Sequence, residues 1–225
     1  METQAGISVV VPTLNEGERI VPLLNQLAAC PEVEVIITDG GSSDNTLELC
    51  REFPVQVIMN APGRGAQMNA GARLASEEIL FFLHADSEIE ARVFNDIRQA
   101  IAQGYDWGCC QLRFDRSTRF YRMVARNSNR RARYFSICFG DQGIYCRKEF
   151  FERMGGFPET PFLEDLAFSE QARKYGRARI IPARITTSSR RFTQGGAWRT
   201  LLRMQLIKLL YRLGVKPERL IVLYK

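Results

Sequence analysis

Along the first hundred residues, apolar and polar positions come in blocks rather than singly. Ile7 to Thr13 (ISVVVPT) is a short, β-branched apolar run, the pattern of a strand buried on both faces of a sheet. From about Glu16 to Ala29 the apolar positions recur at helical spacing instead. The couplet returns three times. Val33 to Asp39 precedes a helix from about Asp44 to Phe53, Val55 to Asn60 precedes Arg64 to Ala75, and Glu78 to His84 precedes a helix from about Ile89 to Gln103. Strands and helices alternating at this spacing predict βαβ units, right-handed crossovers and a mostly parallel sheet.

The rhythm then breaks. The chain predicts a strand at Trp107 to Phe114, a very basic helix over Thr118 to Tyr134 and a short strand at Gly143 to Cys146. A helix from about Glu164 to Tyr175, a strand at Arg179 to Pro182 and a last helix over Ala197 to Leu213 complete the set. No Pro/Gly/Ser-rich stretch separates the regular part from the irregular one. Residues 1–225 therefore read as one α/β domain, with a nucleotide-binding-like half over 1–112 and a smaller, basic α/β half over 113–225.

Composition is ordinary for a globular chain, with 45% hydrophobic and 25% charged residues in 225. Met1 to Gly6 is short and polar, so no N-terminal signal is expected, and no window nears the roughly 18 apolar residues of a membrane span. Six cysteines show no CxxC spacing and there is one histidine, which argues for reduced core thiols in a cytoplasmic protein and against zinc. Charge changes the picture more. Residues 1–112 hold 6 Lys/Arg against 16 Asp/Glu, a balance of −10, whereas 113–225 hold 25 against 9, or +16. A basic half implies an anionic partner: a phosphorylated substrate, a nucleic acid or an acidic membrane surface.

The first four strands end in Pro12-Thr13-Leu14-Asn15-Glu16, Asp39-Gly40-Gly41, Asn60-Ala61-Pro62-Gly63 and His84-Ala85-Asp86. One carboxylate after one strand is usually a helix cap, and Asp44 fits that reading. Four such ends in one sheet would line one crevice at its carboxyl edge, where open α/β sheets bind ligands, with Asp39 and Asp86 both facing it. A carboxylate can accept from the imino N–H of a base, and one or two carboxylates commonly hold Mg2+ on a diphosphate. The phosphate-cradling motifs GxxxxGK[ST] and a GxGxxG after the first strand are absent.

ISVVVPTLNEGERI (Ile7 to Ile20), VIITDGGSSDNT (Val35 to Thr46), APGRGAQMNAGARLA (Ala61 to Ala75) and EILFFLHADS (Glu78 to Ser87) follow the order found in family 2 glycosyltransferases. GDQGIYCRKEFFERMGGF (Gly140 to Phe157) and PFLEDLAFS (Pro161 to Ser169) continue the likeness, which covers roughly 7–192. The resemblance implies the GT-A fold, with a donor-binding first half and an acceptor-side second half, and sugar transfer from a nucleotide diphosphate with inversion. It implies that Pro12, Thr13 and Glu16 hold the nucleoside, that Asp39 beside Gly40 reads the base and that Arg64 approaches the diphosphate. His84-Ala85-Asp86 falls on the DxD motif, whose last acid coordinates a divalent metal, Mn2+ or Mg2+. Glu164-Asp165 resembles the pair whose aspartate is the catalytic base. The alternative for Asp165 is an acid favoured by a helix dipole.

One departure stands out: His84 replaces the usual first Asp, as in a short, soluble bacterial branch of the family, including proteins linked to arsenosugar biosynthesis, that writes HAD. A neutral imidazole can bond a ribose hydroxyl or bind a metal, Mn2+ more readily than Mg2+, or simply be buried at a strand end. Arg190-Arg191-Phe192 does not match the family's QxxRW; the two arginines read either as a solvated pair or as a clamp on the diphosphate or acceptor.

Two basic helices remain. Arg113 to Arg133 carries eight arginines against Asp115 alone. In the last helix Trp198, Leu202, Leu206, Leu209 and Leu213 form a stripe, with Arg199, Arg203, Lys208 and Arg212 placed elsewhere. The default reading is core packing; docking on the inner face of an anionic membrane and a homodimer seam are the alternatives. The whole reads as a metal-assisted inverting glycosyltransferase with a UDP- or GDP-linked donor, an unidentified hydroxyl acceptor and Asp165 as base. Its rivals are a nucleotidyltransferase and a non-catalytic anion- or membrane-binding module. The first should bring a glycine-rich basic signature where Pro12 to Glu16 is acidic. The second is supported by the +16 half, although no RNA-recognition or helix-turn-helix signature points to nucleic acid.

Overall fold

The computed structural model describes residues 5–224, so most of Met1 to Gly6 lies outside the described residues. The first half forms β1 (Ile7–Thr13), α1 (Ile20–Ala28), β2 (Val33–Asp39), α2 (Thr46–Arg51), β3 (Gln56–Met59), α3 (Arg64–Leu74) and β4 (Ile79–Phe82). β5 (Glu88–Ile89), α4 (Val93–Ala102), β6 (Trp107–Phe114) and α5 (Arg119–Phe135) follow. After a 3-10 turn at Gly140–Gln142 come β7 (Ile144–Arg147), α6 (Lys148–Met154), α7 (Glu164–Tyr175) and β8 (Ala178–Thr187). The chain closes with α8 (Arg190–Gly195), α9 (Ala197–Arg212) and α10 (Pro217–Tyr224).

All strands join one sheet in the order β3-β2-β1-β4-β7-β6-β8-β5. β1 pairs in parallel with β2 and β4, and β2 with β3, as the βαβ rhythm predicts. β7 is antiparallel to both β4 and β6. Every residue of β1 is buried. Ile7, Val9 and Val11 pack on one face with Leu23, Leu24 and Leu27 of α1 and with Ile97 of α4. Val10 turns to the other face, against Met68 and Ala72 of α3. Gly71 lets α3 lie close: a Cβ there would stand 2.4 Å from Val10 Cγ1 and 3.0 Å from Thr38 Cγ2.

Several predicted boundaries move for physical reasons. The strand expected to stop at Pro182 runs on to Thr187, because the register against β6 shifts between Cys109 and Gln111. Pro182 falls in that irregularity, where a missing N–H breaks no ladder bond. Ile89, expected to open a helix, is instead in β5, paired with Ile185 of β8. Asp44 precedes α2, its carboxylate accepting from the backbone N–H groups of Thr46 and Gly17.

Because α3 carries cavity residues, its seat on the sheet is worth testing. Gly71→Ala should destabilise the fold by on the order of 2 kcal/mol through overpacking, read as a lower urea midpoint with unchanged slope. An unchanged midpoint would mean that α3 can lift from the sheet without penalty.

Candidate active site

The carboxyl edge of the sheet opens into a cavity of about 700 Å³, within the range of small-molecule sites. From the first half it is lined by Pro12, Thr13 and Glu16 after β1, Arg64 and Gln67 of α3, and His84, Ala85 and Asp86 after β4. From the second half come Asp141 in the 3-10 turn, Asp165 in the first turn of α7, Arg190 and Arg191 of α8 and Lys208 of α9. Ten of the residues singled out from sequence thus share one cavity. Asp39, Gly40 and Glu164 do not line it.

Asp39 lies fully buried behind the wall. One carboxylate oxygen accepts from the N–H groups of Gly41 (2.9 Å) and Ser42 (2.7 Å), the other from the hydroxyls of Thr13 (2.8 Å) and Ser42 (2.6 Å). Burial opposes its charge, but these bonds outweigh burial and hold its pKa below the ordinary carboxylate value. Gly40 makes room for Gln67, whose amide donates to the carbonyls of Thr13 (2.8 Å) and Thr38 (2.6 Å) and so laces β1 to β2.

Glu164 is also buried, and its carboxylate meets Arg64 Nε at 2.8 Å, tying α7 to α3. Burial and the neighbouring Asp165 push its pKa up, against the pull of Arg64. Just before it, Leu163 takes a left-handed φ of 63°, an unfavourable conformation for a leucine that aims Glu164 and Asp165 from the helix start. Asp165 accepts from the N–H of Gly140 (2.8 Å) with one oxygen and of Leu166 (2.7 Å) with the other.

His84 packs on the same Gly140, where a Cβ would stand 2.4 Å from its Nε2. Burial, then Arg64, lowers its pKa to about 3, so the ring is neutral at physiological pH. Among the described residues no three His, Cys, Asp or Glu side chains could together hold a metal ion. A site built on Asp86 fits a different arrangement, in which one or two carboxylates hold Mg2+ or Mn2+ and substrate oxygens complete the shell.

Asp141, Gln67 and Lys208 were missed in the sequence. Asp141 precedes a strand rather than following one, yet β7 runs antiparallel, so its start meets the end of β4 (Phe82 opposite Ile144). The Oδ1 of Asp141 is buried and finds no hydrogen-bond partner among the described residues. Burial raises its pKa to about 6 despite Arg131, with Asp165 and Asp86 adding to the rise. Arg131 props this turn from below: it donates to the carbonyl of Ile137 (3.0 Å) and to Gln142 Oε1 (2.8 Å) and lies 4.1 Å over the Phe139 ring. The sequence sets Lys208 among the cations that lie off the apolar stripe of the last helix. It instead turns inward, 5.4 Å from the centre of the Phe139 ring, and burial followed by Arg131 lowers its pKa to about 8.

Comparison with known proteins adds to this geometry. The sequence profile described as Glycosyl transferase family 2 matches residues 8–155. The poly(ribitol-phosphate) β-N-acetylglucosaminyltransferase TarP of Staphylococcus aureus is 30% identical over 102 residues, covering 40% of this chain and 31% of that protein. The dolichyl-phosphate β-glucosyltransferase ALG5C of Trichomonas vaginalis is 30% identical over 109 residues, covering 41% and 32%. The chain thus spans about a third of the length of these curated relatives. Among solved structures, the mannosyltransferase PcManGT of Pyrobaculum calidifontis in complex with GDP-Man and Mn2+ superposes with a TM-score of 0.69. It is 22% identical, over 92% of this chain and 63% of that one. S. aureus TarS 1-349 in complex with UDP-GlcNAc gives 0.63 at 19% identity, over 82% and 58%. The fold is GT-A.

The hydrogen bonds at Asp39 generate a stability prediction. Asp39→Ala strands four donors and should cost on the order of 3 kcal/mol near neutral pH. The native carboxyl titrates below its unfolded value of 3.8, so its contribution is complete above that value and is lost as pH falls through the lower native pKa. Melting curves of parent and variant should therefore converge in acid below pH 3.8. A gap constant down to the acid limit would show that the loss is one of packing alone.

Proposed function

The chain belongs to glycosyl transferase family 2, and from that premise we propose that it moves a sugar from a nucleotide-diphosphate donor to an acceptor hydroxyl, with inversion at the anomeric carbon. The observation that carries the proposal is that Asp86 and Asp165, brought by the two halves, share one cavity. UDP and UDP-GlcNAc in TarS structures and GDP-Man with Mn2+ in PcManGT support a UDP- or GDP-linked donor.

In this reading the donor lies against Pro12, Thr13 and Glu16. Asp39 fixes that loop by orienting Thr13 and Ser42, a role its hydrogen bonds support better than direct contact with the base. Arg64, held by Glu164, points its charge at the diphosphate, while Arg190 and Arg191 clamp the diphosphate or the acceptor. Asp86, with His84 as a neutral neighbour, would hold a divalent metal, which supplies positive charge to the departing diphosphate.

Asp165 acts as the general base. The acceptor hydroxyl gives its proton to this carboxylate as its oxygen attacks the anomeric carbon. The bond from that carbon to the diphosphate oxygen breaks, and its electron pair leaves with the nucleoside diphosphate. The N–H groups of Gly140 and Leu166 hold the carboxylate in one orientation, which favours proton transfer along a fixed line.

Calorimetry with UDP and GDP, with and without Mn2+, tests donor binding. Binding should tighten with metal for the parent and lose that gain in Asp86→Ala. Asp165→Asn keeps the shape, so it should bind donor like the parent while sugar transfer, or slow donor hydrolysis in the absence of an acceptor, falls about 10²- to 10⁴-fold. Equal rates would remove Asp165 as base, and nucleotide binding indifferent to metal in both proteins would remove the role of Asp86.

A further inference from the structure

α9 is apolar on two opposite sides. Inward, Ile207 packs with Ile137, Leu163, Leu166 and Leu220, and Leu201 and Met204 lie against the cluster of Phe114, Tyr121 and Phe192. Outward, Trp198, Leu202, Leu206, Leu209 and Leu213 form a line with 48–72% of each residue exposed. The core-packing reading of this stripe is therefore wrong. The core takes the other side of the helix, and the stripe faces solvent.

An exposed apolar line of this length, roughly 22 Å at 1.5 Å per residue, is unusual for a protein surface with nothing on it. Its surroundings are cationic. Arg199 and Arg212 of α9, Lys216 between the helices and Arg219 of α10 are exposed, Arg203 is half-buried, α9 contains no Asp or Glu, and α10 adds the single exposed acid Glu218. We propose that the outer face of α9 is an interfacial helix that docks flat on an anionic lipid bilayer. A bilayer surface offers what this face lacks: an acyl boundary for the leucines, an interfacial layer for Trp198 and anionic headgroups for the arginines. A second copy of the chain meets the leucines equally well, but sets arginine against arginine with no acid on α9 to neutralise them. Among the described residues no helix is long and apolar enough to cross a membrane, so the contact is with the surface only. Met204, Ile207 and Lys208 of the same helix line the cavity, and docking would hold that cavity beside the lipid.

This inference goes beyond the transfer reaction and stands or falls separately from it. The full chain is sedimented with phosphatidylcholine vesicles, with and without phosphatidylglycerol, at two salt concentrations. The parent should pellet with the anionic vesicles only and be released as salt rises. Leu202→Glu with Leu209→Glu, and separately Arg199→Glu with Arg212→Glu, should each weaken binding by about tenfold or more. These side chains are exposed, so melting temperature and nucleotide binding should match the parent, which separates lost docking from lost folding. A parent that ignores anionic vesicles overturns the proposal, as does binding that either pair of substitutions leaves unchanged. A dimer in velocity sedimentation that Leu202→Glu dissolves, without vesicle binding, overturns it in favour of a second copy.

Discussion

The cavity depends on β7 running antiparallel between β4 and β6. Its pairs, Phe81 with Tyr145 and Trp107 with Cys146, make one hydrogen-bonded sheet of what the sequence presents as a regular and an irregular half. The Tyr145 hydroxyl donates to the carbonyl of Arg179 (2.8 Å), reaching β8 across β6 at Gly108. A Cβ at Gly108 would stand 2.6 Å from that hydroxyl and 1.8 Å from the carbonyl, so the lacing works only over glycine. Because β7 points the other way, the residues entering it share a rim with those leaving β4. That reversal is what sets Gly140 between His84 and Asp165, giving its N–H to one and its open Cα to the other.

Much of the charge at this rim is compensated within the protein. Glu16 pairs with Arg19 at 2.6 Å and Glu164 with Arg64 at 2.8 Å. Asp39 keeps its charge, which four hydrogen bonds from Thr13, Gly41 and Ser42 stabilise in place of water. Asp141 is the exception. It is half-buried, with one oxygen buried and unpartnered among the described residues, and lost solvation, followed by repulsion from Asp165 and Asp86, raises its pKa to about 6. In the proposed reaction such a group favours ligands that bring hydroxyls or positive charge, which suits the acceptor side of a sugar transfer.

The first half is legible because four parallel strands ending in polar residues at one sheet edge point to a crevice, where one such end alone reads as a helix cap. β1, β2 and β4 form where ISVVVPT, VEVIITD and the run to His84 predict, and Thr13 and Asp86 reach the cavity by that logic alone. The logic fails where it assumes direction. Asp141 sits before its strand, and nothing local in GDQGIYC says that the strand is reversed. Asp39 ends its strand as predicted, and its carboxylate is held by its own loop through Thr13, Gly41 and Ser42. Proline at 182 reads as a stop, and only pairing with β6 reveals the irregularity that absorbs it.

The +16 half shows the same limit for electrostatics. Its cations look alike in a count, yet they occupy three environments with different physics. Arg131 is half-buried and spends its donors on Ile137 and Gln142, so it acts as scaffold. Arg190, Arg191 and Lys208 line the cavity, where an anionic donor would meet them in a partly dry setting. Arg199 and Arg212 stand in water beside exposed leucines, where screening is strong. Lys208 and Arg212 are one helical turn apart on α9 and fall into different classes, because α9 has two apolar sides. A helix with one apolar face tells its polar residues which way to point. A helix with two leaves that decision to packing, and here packing turns one cation toward the chemistry and another toward the outer apolar face.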